Sequence, residues 1–202
     1  MQAAGGAALT HHEIIDADGT DAGGTPPPAT IDPGRRARAA RLFIAVALII
    51  IANDQVVKQL TVSSLAHRDP IRLLGGAVYL VYVRNSGAAF SFAQDYTFVF
   101  PVIATLVSAW IIWMSRRMAS LPWAVALGLV LGGALGNLVD RIFRAPGPFV
   151  GHVVDMISVF DDAGQVFPVF NVADSALSIG VVLAVLLEFS GRRRDGTRQV
   201  KT

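Results

Sequence analysis

Hydrophobic positions along the chain gather into four long runs, Leu42–Leu65, Phe98–Met114, Leu121–Val139 and Val172–Phe189, separated by segments rich in polar residues. A helix needs roughly 20 apolar residues to cross about 30 Å of hydrocarbon, so each run is a candidate span. Four such stretches in a chain of 202 residues cannot all be hidden from water in a soluble fold. Two further patterns stand between them. Ile71-Arg72-Leu73-Leu74 and Val78 to Val83 flank Gly75-Gly76 and predict two short strands around a glycine turn. The segment 141–171, broken by Pro146, Gly147 and Pro148, reads as loop and short elements at the interface. Residues 1–34, with Gly23-Gly24-Thr25-Pro26-Pro27-Pro28, have almost no apolar periodicity and are expected to form a disordered tail. Residues 192–202 form a second, basic tail.

Composition agrees with a membrane chain: 53% of residues are hydrophobic and 16% charged, with a mean hydropathy of +0.52. Cysteine is absent, which excludes disulfides, thiol nucleophiles and thiolate-bound zinc. A pI near 9.4 would suit nucleic acid, but the basic residues flank the apolar runs instead. Arg35, Arg36, Arg38, Arg41, Arg116, Arg117, Arg192, Arg193, Arg194, Arg198 and Lys201 fall on one side of the four-span arrangement. Arg68, Arg72, Arg84, Arg141 and Arg144 fall on the other. The positive-inside bias then places both termini and the 115–120 turn in the cytoplasm, with segments 66–97 and 140–171 outside.

That topology draws the unusual polar residues into one layer. Asp54 and Lys58 lie roughly 18 and 24 Å along the first helix from Leu42, and Asn137 about 24 Å along the third from Leu121. Asp54 and Lys58 are i and i+4, on one face and able to pair. Asp140 and Arg141 follow Asn137 and are expected to pair at the helix end. Asn171 and Asp174 open the fourth run, with Asp174 a candidate N-cap, and Asn85, Ser86 and Asp155 come from the outer segments. Gly128, Gly132 and Gly136, spaced by four, suit close helix packing. Ionisable groups at membrane depth are costly to desolvate and point to function. Asp155 and Asp174, nineteen positions apart, could form a proton-sharing carboxylate pair.

Five segments resemble, in order, the signature blocks of the lipoprotein signal peptidases, or signal peptidase II family. They are Asn53-Asp54-Gln55-Val56-Val57-Lys58, Arg84-Asn85-Ser86-Gly87-Ala88-Ala89-Phe90-Ser91-Phe92, Gly132 to Arg141, Val153-Val154-Asp155, and Phe170-Asn171-Val172-Ala173-Asp174. The resemblance covers about residues 40 to 190. It implies a mainly α membrane protein with four transmembrane helices, a small extracytoplasmic β-cradle and an interfacial helix. It implies an aspartic endopeptidase of the bacterial cell (inner or plasma) membrane, acting at the outer leaflet face. That enzyme would cleave diacylglyceryl-modified prolipoproteins on the amino side of the lipidated cysteine. The family's catalytic positions fall on Asp155 and Asp174, and its supporting positions on Asp54, Lys58, Asn85, Asn137, Asp140, Arg141 and Asn171. Phe143 to Phe149 makes the loop ahead of Asp155 longer than the shortest family form. No metal or organic cofactor is expected. The expected partners are lipidated substrate and membrane lipid, without nucleic acid, and the protein is expected to be monomeric.

Two other chemistries use some of the same residues. A transporter could route protons through Asp54, Lys58 and Asp174, but the inner halves of the four runs supply almost no polar path onward. A Ser/Lys peptidase could pair Ser86 with Lys58.

Overall fold

In the computed structural model the described residues are 32–87 and 98–199. They form four α-helices, α1 (Pro33–Leu65), α2 (Val99–Ser115), α3 (Leu121–Phe143) and α4 (Val172–Phe189), and three strands, β1 (Ile71–Leu73), β2 (Val78–Asn85) and β3 (Val153–Val159). Three of the helices, α1, α3 and α4, are long and apolar enough to cross a membrane; α2 is equally apolar but has 17 residues. The chain is a mainly helical, multi-pass membrane protein with a small antiparallel sheet.

Local chemistry accounts for the helix limits. The first helix begins well before Leu42, inside the stretch assigned to the tail and the arginines. Asp32 caps it by accepting from the Gly34 N–H at 2.9 Å, and Pro33 stands at the first helical position, where a missing N–H costs nothing. Arg and Ala are good helix formers and carry the helix through to Leu42. Likewise α3 runs on past Val139 to Phe143, so Asp140 and Arg141 lie in its last turn rather than in a loop.

The central helix is α3, which packs against α1, α2 and α4. It is buried over most of its length, whereas α1 and α4 turn Ile44, Leu48, Ile179, Val182 and Leu186 outward. Glycine makes the contacts close. A Cβ on Gly128 would lie 2.9 Å from Val46 Cβ, and one on Gly132 would lie 2.7 Å from Ile50 Cβ, both on α1. On the face toward α4, a Cβ on Gly180 would lie 2.8 Å from the Ala126 carbonyl oxygen. These are small-residue contacts that let backbones approach. Replacing Gly132 with alanine therefore forces α1 and α3 apart and should cost on the order of 1–3 kcal/mol. Thermal unfolding in detergent checks this against Gly147→Ala, whose added methyl meets nothing within 4 Å.

The sheet order is β1-β2-β3, all antiparallel. The first two strands fall where the Ile71–Leu74 and Val78–Val83 runs predict them. The third falls within 141–171, read as loop and short elements, and gives one of those elements its identity: Val153 to Val159 is a strand buried on both faces along most of its length. Its register sets Val83 opposite Asp155 and Asn85 opposite Val153. Beyond β3 the chain returns so that Phe170 bridges Ile157, its N–H donating to the Ile157 carbonyl at 3.0 Å. That bridge seats the start of α4 beside β3. The segment 192–199, read as part of a basic tail, forms a turn in which Arg192 bridges Arg198 and Ala119 and Ser120 donate to the Arg194 carbonyl. Among the described residues no further α-helix occurs. Ala88 to Phe92 of the second signature block, the rest of the 88–97 stretch and most of the amino-terminal tail lie outside them.

Candidate active site

Lys58 is the hub of the polar layer. Its ammonium is fully buried, and its three N–H groups meet Asp54 at 2.7 Å, Asp140 at 3.0 Å and the Asn137 amide oxygen at 2.9 Å. The i,i+4 pairing of Asp54 and Lys58 is thus present and is extended by a second carboxylate from α3. Asp140 also accepts from Arg144 Nε at 2.6 Å, and two carboxylates facing two cations make the cluster neutral. Gln55 adds donors to Asp54, to Asp140 and to the Gly136 carbonyl. Burying charge this deeply is tolerable only when every ion is paired and hydrogen-bonded.

The cluster positions other elements. Asp54 reaches past Gly136, where a Cβ would lie 2.9 Å from its Oδ2, to accept from the Ala173 N–H at 2.9 Å. A carboxylate there satisfies an orphan donor of α4 and faces the positive end of its dipole. Asp140 accepts from the Val154 N–H at 3.1 Å, fixing β3 one residue before Asp155.

The expected pairing of Asp140 with Arg141 does not form. Successive residues on a helix point about 100° apart, so the partner of Asp140 is Arg144, one turn on. Arg141 turns the other way and donates to the carbonyls of Asn85 at 3.1 Å and Gly151 at 3.0 Å. Its guanidinium also lies 5.7 Å from the centre of the Phe100 ring. It clamps the end of β2 to the loop that leads into β3. The longer Phe143–Phe149 loop is itself held, with Arg84 donating to the Ala145 carbonyl at 2.8 Å.

Asn137 and Asn171 connect the hub to the two aspartates, and Asn85 holds Asp155 from its other oxygen. The N-cap of α4 is Asn171 rather than Asp174: its Oδ1 accepts from the Asp174 N–H at 2.9 Å, while Asp174 Oδ2 accepts from the Asn171 N–H at 3.1 Å. This reciprocal capping box places Asp174 at the third helical position. With its oxygen so engaged, the Asn171 amide must present Nδ2 outward, and it donates to Asp155 Oδ1 at 2.6 Å and to Asn137 Oδ1 at 3.1 Å. Asn137 is oriented the same way. Lys58 can only donate, so Oδ1 faces it and Nδ2 donates to Asp174 Oδ1 at 2.7 Å. Asn85 accepts from the Gly87 N–H at 2.7 Å and donates to Asp155 Oδ2 at 2.9 Å. Gly87 has φ +88°, and a Cβ there would strike the Phe100 ring at 2.7 Å, so this turn requires glycine.

Asp155 and Asp174 therefore hang from one continuous network, Asp155–Asn171–Asn137–Asp174, each carboxylate accepting two hydrogen bonds. Every oxygen keeps one further lone pair. Both line a cavity of 330 Å³ whose other walls include Phe100, Ile103, Val107, Ala134 and Leu177. Asp155 is 2% exposed. Its pKa is raised from 3.8 to about 6, chiefly by burial and also by the Asp174 charge, against the lowering pull of the Asn85 and Asn171 donors and the Lys58 charge. A proton near neutrality beside a second carboxylate, at the end of an apolar slot, suits acid–base chemistry on an apolar substrate. All nine residues named from the sequence, Asp54, Lys58, Asn85, Asn137, Asp140, Arg141, Asp155, Asn171 and Asp174, lie in this layer. Gln55, Gly87 and Arg144 were not among them. Arg144 was discoverable as the i+4 partner of Asp140, and Gln55 as the neighbour of Asp54.

Comparison with known proteins agrees with the geometry. Residues 46–190 match the family described as signal peptidase (SPase) II. A lipoprotein signal peptidase of Streptomyces griseus is 46% identical over 92% of this chain and 92% of its own length. One from Mycobacterium avium is 49% identical over 82% of this chain and 88% of its own. A bacterial membrane enzyme solved by the in meso method at 1.9 Å resolution superposes with a TM-score of 0.63 at 29% identity, covering 72% of this chain and 91% of that one. With the family match covering α1 from residue 46, the other three helices, the sheet and every residue of the polar layer, the chain belongs to the signal peptidase II family, the membrane proteases that remove signal peptides from lipoprotein precursors.

Proposed function

We propose that Asp155 and Asp174 are the catalytic pair of this protease, and that its substrates are prolipoproteins carrying diacylglycerol on the cysteine after the cleavage site. The observation that carries this is the amide-bridged network presenting both carboxylates to one apolar cavity. Asp155 is the member that carries the proton in the reactive form, because burial and the neighbouring charge raise its pKa to about 6 and so bring its neutral form within reach near neutrality. Entry of an apolar substrate removes more water and strengthens that preference. Asp174 then takes a proton from the attacking water, and Asp155 gives its proton to the scissile carbonyl oxygen. The tetrahedral intermediate collapses with proton transfer to the amide nitrogen. The C–N bond breaks, leaving a free amine on the lipidated cysteine and a carboxylate on the signal peptide. Asp54, Lys58, Asn85, Asn137, Asp140, Arg141 and Asn171 position the pair.

In the same reading the chain crosses the bacterial cell membrane four times as a monomer, over about residues 35–191. Both termini are cytoplasmic and the sheet forms a cradle at the outer leaflet. The arginine bias along the sequence supports this orientation.

A Ser86–Lys58 mechanism conflicts with the contacts of Lys58, whose three N–H groups are engaged by Asp54, Asp140 and Asn137. A lysine so held has no free lone pair with which to activate a hydroxyl. Ser86→Ala should therefore cleave a diacylglyceryl-modified prolipoprotein peptide at the parent rate. Loss of cleavage in that protein, with activity kept when either aspartate becomes asparagine, would overturn the assignment.

A further inference from the structure

The arginine-rich end of the molecule, opposite the polar layer, has a cavity that the proteolytic chemistry does not use. It measures 540 Å³, within the range of about 300–1,000 Å³ common for small-molecule sites. Four arginines from two separate segments line it: Arg35 and Arg38 from the first turns of α1, and Arg192 and Arg198 from the turn that follows α4. Among the described residues no carboxylate lines it. Among the described residues none of the four guanidinium groups has an ion-pair partner.

The turn is built in a way that accumulates charge. Arg192 and Arg198 are paired across an antiparallel bridge, and like charges set directly opposite are destabilising. Gly196, at φ +88°, leaves room for Arg35, whose Nη2 would lie 2.7 Å from a Cβ at that position. The turn is held against α3, with Trp123 Nε1 donating to the Arg192 carbonyl at 2.7 Å. A neighbouring cavity of 870 Å³ also contains arginines, Arg116, Arg117, Arg193 and Arg194, but Glu188 and Asp195 line it too and offset part of its charge. Among the described residues the smaller cavity has no acidic side chain on its lining. It lies at the ends of the membrane-crossing helices α1, α3 and α4, where Leu121 and Pro122 supply an apolar edge.

We propose that this cavity binds the phosphate headgroup of an anionic phospholipid, with the acyl chains leaving past Leu121. Guanidinium groups pair with phosphate oxygens in bidentate fashion, and basic pockets between transmembrane helices suit lipid headgroups. The site would anchor α1 to the segment after α4 by placing one dianionic or monoanionic group between four cations.

The test uses the full chain, purified and returned to vesicles of phosphatidylcholine alone or of equimolar phosphatidylcholine and phosphatidylglycerol. Thermal unfolding and phosphatidylglycerol retained after detergent extraction are read by calorimetry and native mass spectrometry. The parent protein should unfold at a higher temperature in the mixed vesicles. Replacing Arg35, Arg38, Arg192 and Arg198 by Gln should abolish that shift and lower retention at least about tenfold. Arg192→Gln with Arg198→Gln serves if the fourfold variant does not fold, and should lower retention too. Arg116→Gln with Arg117→Gln removes equal charge outside the cavity and should retain lipid like the parent. Inorganic phosphate or glycerol phosphate added to phosphatidylcholine vesicles should produce no shift. Parent-like retention in the Arg192/Arg198 variant, equal loss in the Arg116/Arg117 variant, or a full shift with free phosphate would each overturn the proposal.

Discussion

Asp155→Asn and Asp174→Asn proteins should each lose cleavage of a diacylglyceryl-modified prolipoprotein peptide by on the order of 10²–10⁴-fold, the usual contribution of a positioned acid or base. The network explains why the substitution is more than a loss of charge. Asp155 accepts from Asn171 on one oxygen and Asn85 on the other, and Asp174 accepts from Asn137 and the Asn171 N–H. An asparagine at either place sets its own NH₂ against a donor whose direction is already fixed, so about 1–3 kcal/mol of stability should be lost as well. Unfolding must therefore be measured beside the rate, at a temperature where the variants remain folded. Because the two carboxylates act as one unit, the double variant should be little worse than the poorer single variant. Multiplicative losses would mean that the two groups act independently.

Lys58→Met carries the largest expected effect on stability. It leaves Asp54 and Asp140, both 0% exposed, without the cation they share. Breaking a buried ion cluster by removing one partner costs about 3–5 kcal/mol, because the remaining charge stays desolvated. Lys58→Arg should not rescue it. The three acceptors converge on one ammonium nitrogen, and a planar guanidinium cannot present three donors from one point. Adding Asp54→Asn and Asp140→Asn to Lys58→Met should recover part of the loss by removing the stranded charges. The measurement is denaturation in detergent, with substrate cleavage at low temperature read alongside. An unchanged unfolding midpoint in Lys58→Met would mean that the two carboxylates are not held as buried anions.

Parts of this arrangement are legible in the chain. Long apolar runs identify the spans, since hydrocarbon imposes a minimum length. The Asp54–Lys58 pairing follows from helical spacing alone. Convergence of Asn85, Asn137, Asp155, Asn171 and Asp174 follows from the alternating direction of the spans, because each falls where its segment meets one end of the helices. What escaped was decided by tertiary contact or by competing local signals. Val153 to Val159 is β-branched enough to be a strand, yet Pro146, Gly147 and Pro148 just before it dominate the reading as loop. The bond between Lys58 and Asp140 crosses from α1 to α3 and depends on the closeness that Gly132 and Gly136 allow. Asp174 and Asn171 are both good capping residues, and only the geometry assigns the cap to Asn171. The start of α1 was readable as Asp32-Pro33 but was masked by the Gly- and Pro-rich tail ahead of it. The fold of Arg192–Gln199 onto α3 rests on Trp123 and backbone contacts that no periodicity announces.

Infrared titration of the carboxyl C=O stretch bears most directly on the shared proton. The parent protein should show a protonated-carboxyl band that disappears as pH rises through about 6, and that is missing in Asp155→Asn. Since the Asp174 charge is one cause of the raised value, Asp174→Asn should keep the band but lose it at lower pH. A band in Asp174→Asn that titrates at the parent midpoint would show two uncoupled carboxylates and contradict the account.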